Sequence, residues 1–336
     1  MFGYYQAVKF LLGIKGEGGH EATFDEHTLK IKNKNRRVLT FEADGRARGT
    51  IIILHGMSPM GPDDPRMLTL CNSVRKSGYR VLCPDISEIR ALKIAVEQID
   101  IVRDFILAIN REMVEPGERT AVMAPSFSAG LGLAAIADEG LAPQISSMCS
   151  LGTFANIDNV VEFFFTSDSA DHYGRLIVFK NFIGHVVGKN PQLERAFTIA
   201  IEDNWHDRKE PHLQRYMKKM SPESKRIYKK LMTDNNYRLK ALKKILEKTR
   251  KRFKRYNITD YTRQIETPVL LVHGADDHVI PPSESRQLHH ELRNRGKSSR
   301  LLVTPFLSHG DTSLSLKQFL EIWRLVSSFA FFFRNV

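Results

Sequence analysis

Short, largely apolar runs, each bounded by turn chemistry, recur along the chain: TIIILHG at 50–56, YRVLCPD at 79–85, TAVMA at 120–124, the serine-interrupted QISSMCSLG at 144–152, TPVLLVHG at 267–274 and SRLLVTPF at 299–306. Each has the length of a buried strand and is too short for a helix. A further strand-like piece, Arg37 to Phe41, precedes an Asp44-Gly45 turn. Between the runs, apolar residues repeat at three and four. Asp64 followed by Pro65 supplies an N-cap and a first helical residue, so the pattern predicts a helix from Pro65 to Lys76, closed by Gly78. Ile94, Ile101, Phe105 and Ile109 mark helical spacing within 90–111. Small residues after Ser128 predict a helix reaching Gly140, and a last helix is expected from about Ser315 to Phe333. Strand and helix alternating at this cadence predict a parallel sheet with helices on both faces.

The cadence stops between 153 and 264, where Phe-, Lys- and Arg-rich helical pieces replace buried strands. The chain is therefore expected to hold one α/β domain, 1–152 with 265–336, carrying a helical insertion at 153–264. Within the insertion, Leu239, Leu242, Leu246, Thr249, Phe253 and Tyr256 form an apolar stripe, with Lys240, Lys243, Lys244, Arg250, Lys251 and Lys254 mostly off it. Charge sharpens this division. The chain totals +12, but residues 208–255 hold 19 Lys and Arg against 4 Asp and Glu, a local +15 that leaves −3 for the remainder. Such a face is a solvated surface, or one that meets an anionic membrane or an acidic partner. Nucleic acid is not expected, because no recognised binding module accompanies the charge.

The length of 336 residues and a hydrophobic fraction of 42% allow a sizeable core. Three cysteines, Cys71, Cys83 and Cys149, without C-x-x-C spacing, point to a reducing, cytoplasmic setting and away from a disulfide framework or zinc site. No uninterrupted apolar stretch reaches 18 residues, so no transmembrane helix is expected. The opening MFGYYQAVKFLLGIKG lacks a basic leader and a small-residue cleavage site. Tyr4, Val8 and Leu11 there follow helical spacing, which fits a small docked helix or an interfacial membrane anchor.

Four motifs carry chemistry. SFSAG at 126–130 is one substitution from the G-x-S-x-G turn, which holds a nucleophilic serine between small residues on a strained strand-to-helix junction. In this register Ser128 is the nucleophile, with Ser126 and Gly130 as the flanking small residues. Ser126 is set aside because Ser128, not glycine, follows it at the second position. LHGM at 54–57 ends an earlier buried strand. An oxyanion requires backbone N–H donors, and Met57 and Ala129 stand where they are expected, with His55 holding the loop. HGADDHVIP at 273–281 offers an acidic residue at a strand end, Asp277 with Asp276 beside it, and SHGD at 308–311 offers His309 after the last strand. Ser128, Asp277 and His309 then follow the chain order Ser, Asp, His, in which the imidazole takes the serine proton and the carboxylate orients the imidazole.

On these motifs the chain resembles the α/β-hydrolases over about 220 residues outside the insertion. HGMSPMGPDDPR, SLGTFANID and YGRLIVFKNFI are similar to a subset of capped bacterial members. The resemblance implies a mostly parallel eight-stranded sheet with helices on both faces and a helical cap inserted after the sixth strand. Its G-x-x-D register maps onto Gly274 to Asp277 and favours Asp277 as the acid. The departure from the pattern is Ser126, where glycine stands in the family.

The expected activity is cleavage of a carboxylic ester or thioester through an acyl-enzyme. The basic cap is expected to favour an anionic head group, and Phe163, Phe164, Phe165 and Phe179 are candidate pocket linings. Two alternatives remain open: transfer of the acyl group to an acceptor other than water, and an idle fold that binds a membrane or partner through the basic cap, the N-terminal stretch and the aromatic tail FAFFF at 329–333. No cofactor or metal is expected. Asp63-Asp64 reads as helix capping, and GIKGEGGH at 13–20 lacks the strand and the Lys-Ser or Lys-Thr of a phosphate loop.

Overall fold

A computed structural model of the chain describes residues 3–15, 23–205, 211–305 and 316–336. It divides into two compact units. One comprises Met1–Leu92, Glu97–Ala155 and Asn257–Val336; the other comprises Lys93–Val96 and Asn156–Tyr256.

The first unit runs, in chain order, α1 (Tyr4–Lys15), β1 (Asp25–Ile31), β2 (Lys34–Phe41), β3 (Thr50–Ile53), α2 (Pro65–Lys76), β4 (Arg80–Pro84), α3 (Ser87–Arg90), α4 (Gln98–Met113), β5 (Thr120–Pro125), α5 (Ser126–Ala135) and β6 (Ile145–Leu151). The second unit supplies α6 (Ile157–Thr166), α7 (His172–Phe182), α8 (Gly184–Val187), α9 (Pro191–Trp205), α10 (His212–Lys219), α11 (Pro222–Thr233) and α12 (Asn235–Phe253). The first unit then resumes with β7 (Val269–Gly274), α13 (Pro282–Asn294), β8 (Ser299–Thr304) and α14 (Leu316–Phe333).

The eight strands form one sheet in the order β1-β2-β4-β3-β5-β6-β7-β8. β1 pairs antiparallel with β2 and β2 antiparallel with β4, while every pair from β4 to β8 is parallel. The two-residue period of the strands builds two cores. Ile51, Ile53, Val81, Cys83, Ala121, Met123, Leu270 and Val272 share one face with Met67, Leu70 and Val74 of α2, Ala7 and Phe10 of α1, and Phe329, Ala330 and Phe333 of α14. Alternate residues such as Ile52, Leu82 and Val122 are equally buried and point the other way. There α5 lies so close that a Cβ on Gly132 would stand 3.0 Å from Met148 Cε and 3.3 Å from Leu54 Cδ1.

Local signals explain the element ends. Asp64 accepts from the Arg66 N–H at 3.0 Å as N-cap of α2, with Pro65 first in the helix, as the sequence predicts. Its neighbour Asp63 is held by Arg37. α5 is shorter than expected, ending at Ala135, and a 3-10 turn at Ala142–Gln144 leads into β6. The FAFFF tail is no free surface: Phe329, Ala330, Phe332 and Phe333 are buried in the core under α1. Cys71, Cys83 and Cys149 are buried and free. No described helix is long and apolar enough to cross a membrane.

The second unit is helical throughout its described residues. Its centre is an aromatic chain, with Phe165 edge-on to Phe179 at 5.0 Å, Phe179 against Phe197 at 5.1 Å and Phe197 against Tyr228 at 5.1 Å. Phe164, Phe165 and Phe179 are buried packing residues of this core, whereas Phe163 is half-buried. α12 buries Ala241, Leu242, Ile245, Thr249 and Phe253, and leaves Lys240, Lys243, Lys244, Arg250 and Lys251 exposed. Lys93–Val96 joins this unit through the Ile94 N–H, which donates to Asn181 Oδ1 at 3.0 Å.

The chain leaves β6 and returns to β7 at neighbouring points of the first unit. The Ile258 N–H donates to the Ala155 carbonyl at 2.7 Å. The Ala155 N–H donates to Glu284 Oε2 at 3.0 Å, and Glu284 is itself buried at the start of α13. These bonds keep 153–155 and 257–264 with the sheet unit, so the inserted unit is narrower than the expected 153–264.

Candidate active site

β5 lies near the middle of the sheet, and its apolar run ends at Pro125. The next residue, Ser126, has φ +55°, a left-handed conformation in a non-glycine residue. That conformation costs on the order of 1–2 kcal/mol and persists only where the surroundings enforce it. α5 begins at once, so Ser126 is the apex of a sharp strand-to-helix turn and is half-buried. Two residues to either side stand Ala124 and Ser128, both small and both fully buried. The backbone therefore realises the small-x-Ser-x-small turn in the register Ala124-Pro125-Ser126-Phe127-Ser128.

The apex of the turn is therefore not Ser128, the serine expected there from the sequence. Ser128 lies inside α5 with no exposed surface, and its hydroxyl donates to the His55 carbonyl at 2.5 Å. It occupies the flanking position, where a small residue is needed, and ties the helix to the loop after β3. The register shift also moves Ala129. It is buried in the body of α5, and the residue that follows the apex is Phe127. The feature that marks the apex in the sequence is the proline closing β5, since the strand ends there.

Close packing holds this turn. A Cβ on Gly130 would lie 2.4 and 2.5 Å from the ring of Phe154, which is fully buried and stacked on Phe127 at 5.7 Å. Gly130→Ala is therefore expected to lower stability by about 1–3 kcal/mol, because an overpacked ring with no room must shift. Urea unfolding of the two proteins measures this.

The loop after β3 is fixed by a neutral histidine. The Ile86 N–H donates to His55 Nε2 at 3.0 Å, so Nδ1 carries the proton and donates to the Gly56 carbonyl at 2.9 Å. Burial pushes the His55 imidazole below its usual pKa, against the opposing influence of these backbone bonds. The Gly56 carbonyl also accepts from the Ser58 N–H at 2.9 Å, which closes a tight bend around half-buried Met57. His55 thus holds the loop, as the sequence implies, and Met57 sits at the carboxyl end of the strand beside β5.

Asp277 stands in the loop after β7. Its Oδ1 accepts from the N–H groups of Val279 at 2.8 Å and Ile280 at 3.0 Å. Its Oδ2 lies 3.5 Å from His273 Nε2, and a Cβ on Gly152, at the end of β6, would come within 3.4 Å of it. His273 is buried between the Ser285 hydroxyl at 2.6 Å and the Ile280 carbonyl at 2.8 Å. Burial alone would raise the Asp277 pKa; the His273 contact and the Ile280 and Val279 N–H groups outweigh it and hold the carboxyl below the usual range. The carboxylate is a preformed anion with one oxygen committed to the loop. Asp276 is exposed. His309 lies outside the described residues.

The lowered pKa carries a sign. Asp277 contributes stability above the ordinary carboxylate pKa of about 4 and loses it as pH falls through its depressed folded value. Acid unfolding of Asp277→Asn is expected to show a shallower loss of stability below about pH 4 than the parent protein.

A sequence model of the prolyl oligopeptidase family, Peptidase S9, matches residues 211–333, less than half of the chain. No curated protein matches the sequence. Among solved structures, the chain is similar to Porphyromonas gingivalis dipeptidyl peptidase 4, with a TM-score of 0.53 at 10% identity, over 94% of this chain and 36% of that one. It is similar to the Pyrococcus furiosus esterase Pf2001 with a TM-score of 0.50 at 13% identity, over 93% of each chain. Pyrococcus horikoshii acylaminoacyl peptidase matches at 14% identity and a TM-score of 0.48, over 84% of this chain and 36% of that one. The chain thus spans about a third of the length of the two peptidases. At such identities the likeness is one of fold. Taken with the strand order, the likeness to the dipeptidyl peptidase and the esterase shows that this chain has the α/β-hydrolase fold.

Proposed function

We propose that the protein is a serine hydrolase of carboxylic esters or thioesters, with Ser126 as nucleophile, His309 as general base and Asp277 as the carboxylate that orients it. The observation that carries the proposal is the left-handed backbone of Ser126 between Ala124 and Ser128. A strained serine at a strand-to-helix turn presents its hydroxyl at the carboxyl edge of the sheet, where a substrate carbonyl can approach. In the proposed reaction Ser126 Oγ bonds to the acyl carbon as His309 takes its proton. The carbon–oxygen or carbon–sulfur bond then breaks, and the leaving group receives that proton. Water, deprotonated in turn by His309, then bonds to the acyl carbon; the bond to Ser126 Oγ breaks, Oγ takes the proton back from His309, and the acyl group leaves as an acid. The Phe127 N–H at the start of α5 and the Met57 N–H are the proposed oxyanion donors, assisted by the positive end of the helix.

Depressed as it is, the Asp277 carboxyl is ionised wherever the enzyme would work. The acid limb of kcat/KM is therefore expected to follow a single group, the imidazole, with a slope of one. A second proton entering between pH 5 and 7 would contradict this assignment. A peptide substrate is the second reading, favoured by the prolyl oligopeptidase match over 211–333, which spans the acid loop, β8 and α14. Parallel assays with p-nitrophenyl esters of graded chain length and with peptide p-nitroanilides separate the two. Fluorophosphonate labelling tests the nucleophile itself, and a folded protein that is never labelled would leave only the idle-fold reading.

A further inference from the structure

We propose that α1 and the start of α14 form a docking face for an anionic bilayer surface. On α1, Tyr5, Val8 and Leu12 are 60%, 42% and 65% exposed, at the spacing of a single helix face. On α14, Leu320 and Trp323 are 61% and 54% exposed. Tyr4 stacks on Trp323 with ring centres 5.5 Å apart, which joins the two helices at this face. The opposite side of α1 is fully engaged: Ala7 and Phe10 are buried, and Phe10 packs on Phe329 at 4.7 Å and on Phe333 at 5.7 Å. The helix is firmly anchored and still turns large apolar side chains outward.

Composition and charge select the occupant. Tyr and Trp carry an apolar body with a polar tip, the chemistry that favours a headgroup boundary. Cations flank the apolar residues: Lys9 lies over the Tyr5 ring at 4.9 Å and Arg334 over the Tyr4 ring at 4.9 Å. α1 contains no acidic residue, and the acidic residue of α14, Glu321, is paired with Arg324. With Lys9 and Arg334 at its edges and no acidic residue on α1, this face carries a local positive charge that is drawn to a negative surface. A second copy of the chain fits less well, because five outward side chains fall far short of the roughly 20–30 residues a side of a stable interface. α14 also follows the segment that carries His309, so this face adjoins the proposed site in sequence. Docking itself does not rest on the hydrolase reading; only its consequence, delivery of lipid-borne esters to Ser126, does.

The test is flotation of the full chain with vesicles of phosphatidylcholine alone or mixed equally with phosphatidylglycerol. Wild type is expected to float with the mixed vesicles and not with the neutral ones. The double variant Leu12→Gln, Leu320→Gln is expected to lose at least about tenfold of the bound fraction with its thermal unfolding unchanged, since both side chains are exposed and the Tyr4–Trp323 stack is kept. Failure of the folded wild type to bind, equal binding to neutral vesicles, or undiminished binding by the double variant would each overturn the proposal. So would light scattering that shows a dimer in the wild type and a monomer in the variant. Ester turnover on water-soluble substrates reads the hydrolase proposal separately, and the double variant is expected to keep it.

Discussion

Ser126→Ala is expected to abolish fluorophosphonate labelling and to cut ester turnover by about 10³-fold or more, because the nucleophile of a triad contributes most of what oxyanion stabilisation and binding do not. Ser128→Ala is expected to keep its labelling. The two serines are two residues apart, and their environments are opposite. Ser126 is half-buried at φ +55°, while Ser128 is sealed in α5 with its hydroxyl given to the His55 carbonyl. Losing that hydroxyl leaves a buried carbonyl short of a partner, which costs about 1–3 kcal/mol of stability and loosens the loop that positions Met57. A modest fall in turnover with retained labelling is therefore the signature of Ser128. Labelling that survives Ser126→Ala and vanishes in Ser128→Ala would return the nucleophile to Ser128 and remove the case for the left-handed apex.

Asp277→Asn is expected to lower kcat by about 10⁴-fold, the scale seen when the orienting carboxylate of a triad becomes an amide. The isostere can still accept at one oxygen from the Val279 and Ile280 N–H groups, so the loop keeps its shape while the negative charge is lost. Asp276→Asn, on an exposed neighbour, is expected to change turnover little. Labelling of Asp277→Asn should slow by a similar factor without a change in fold by circular dichroism. Equal effects at 276 and 277 would show that the loop's charge acts through the general field and not through an oriented imidazole.

The layout of the sheet was legible because its strands are buried on both faces, so that IIIL, VLC and VLLV stand out as unbroken apolar runs. The edge was not: β1, DEHTLKI, exposes most of its residues and reads as a polar loop. Asp64-Pro65 marked a helix start because capping is local chemistry. The apex of the serine turn was misplaced by two residues because its defining property is a backbone angle. Gly130 offers a glycine at the flanking position in the wrong register, whereas serine is small enough to flank the turn and Gly130 answers to the Phe154 ring instead. The FAFFF run looked like a surface for partners because sequence alone does not show that α1 folds back over it. The positions of Asp277 and Met57 at strand ends were readable from the strands themselves, since turn chemistry fixed where each strand stopped.

The hydrogen bond between Ile258 and Ala155, whose own N–H is held by Glu284, brings together the two ends of the 156–256 segment. About one hundred residues depart and return across the width of a single backbone pair. The sheet thus meets this insertion as it would meet a short turn, and the entropy of closing it rises only about 0.6 kcal/mol for each doubling of its length. Size and composition of the helical unit are free to change with little penalty to the strands on either side. A graft that joins 155 to 257 through a few residues should leave the β6–β7 register in place, and the same seam would accept a foreign helical unit whose ends lie equally close.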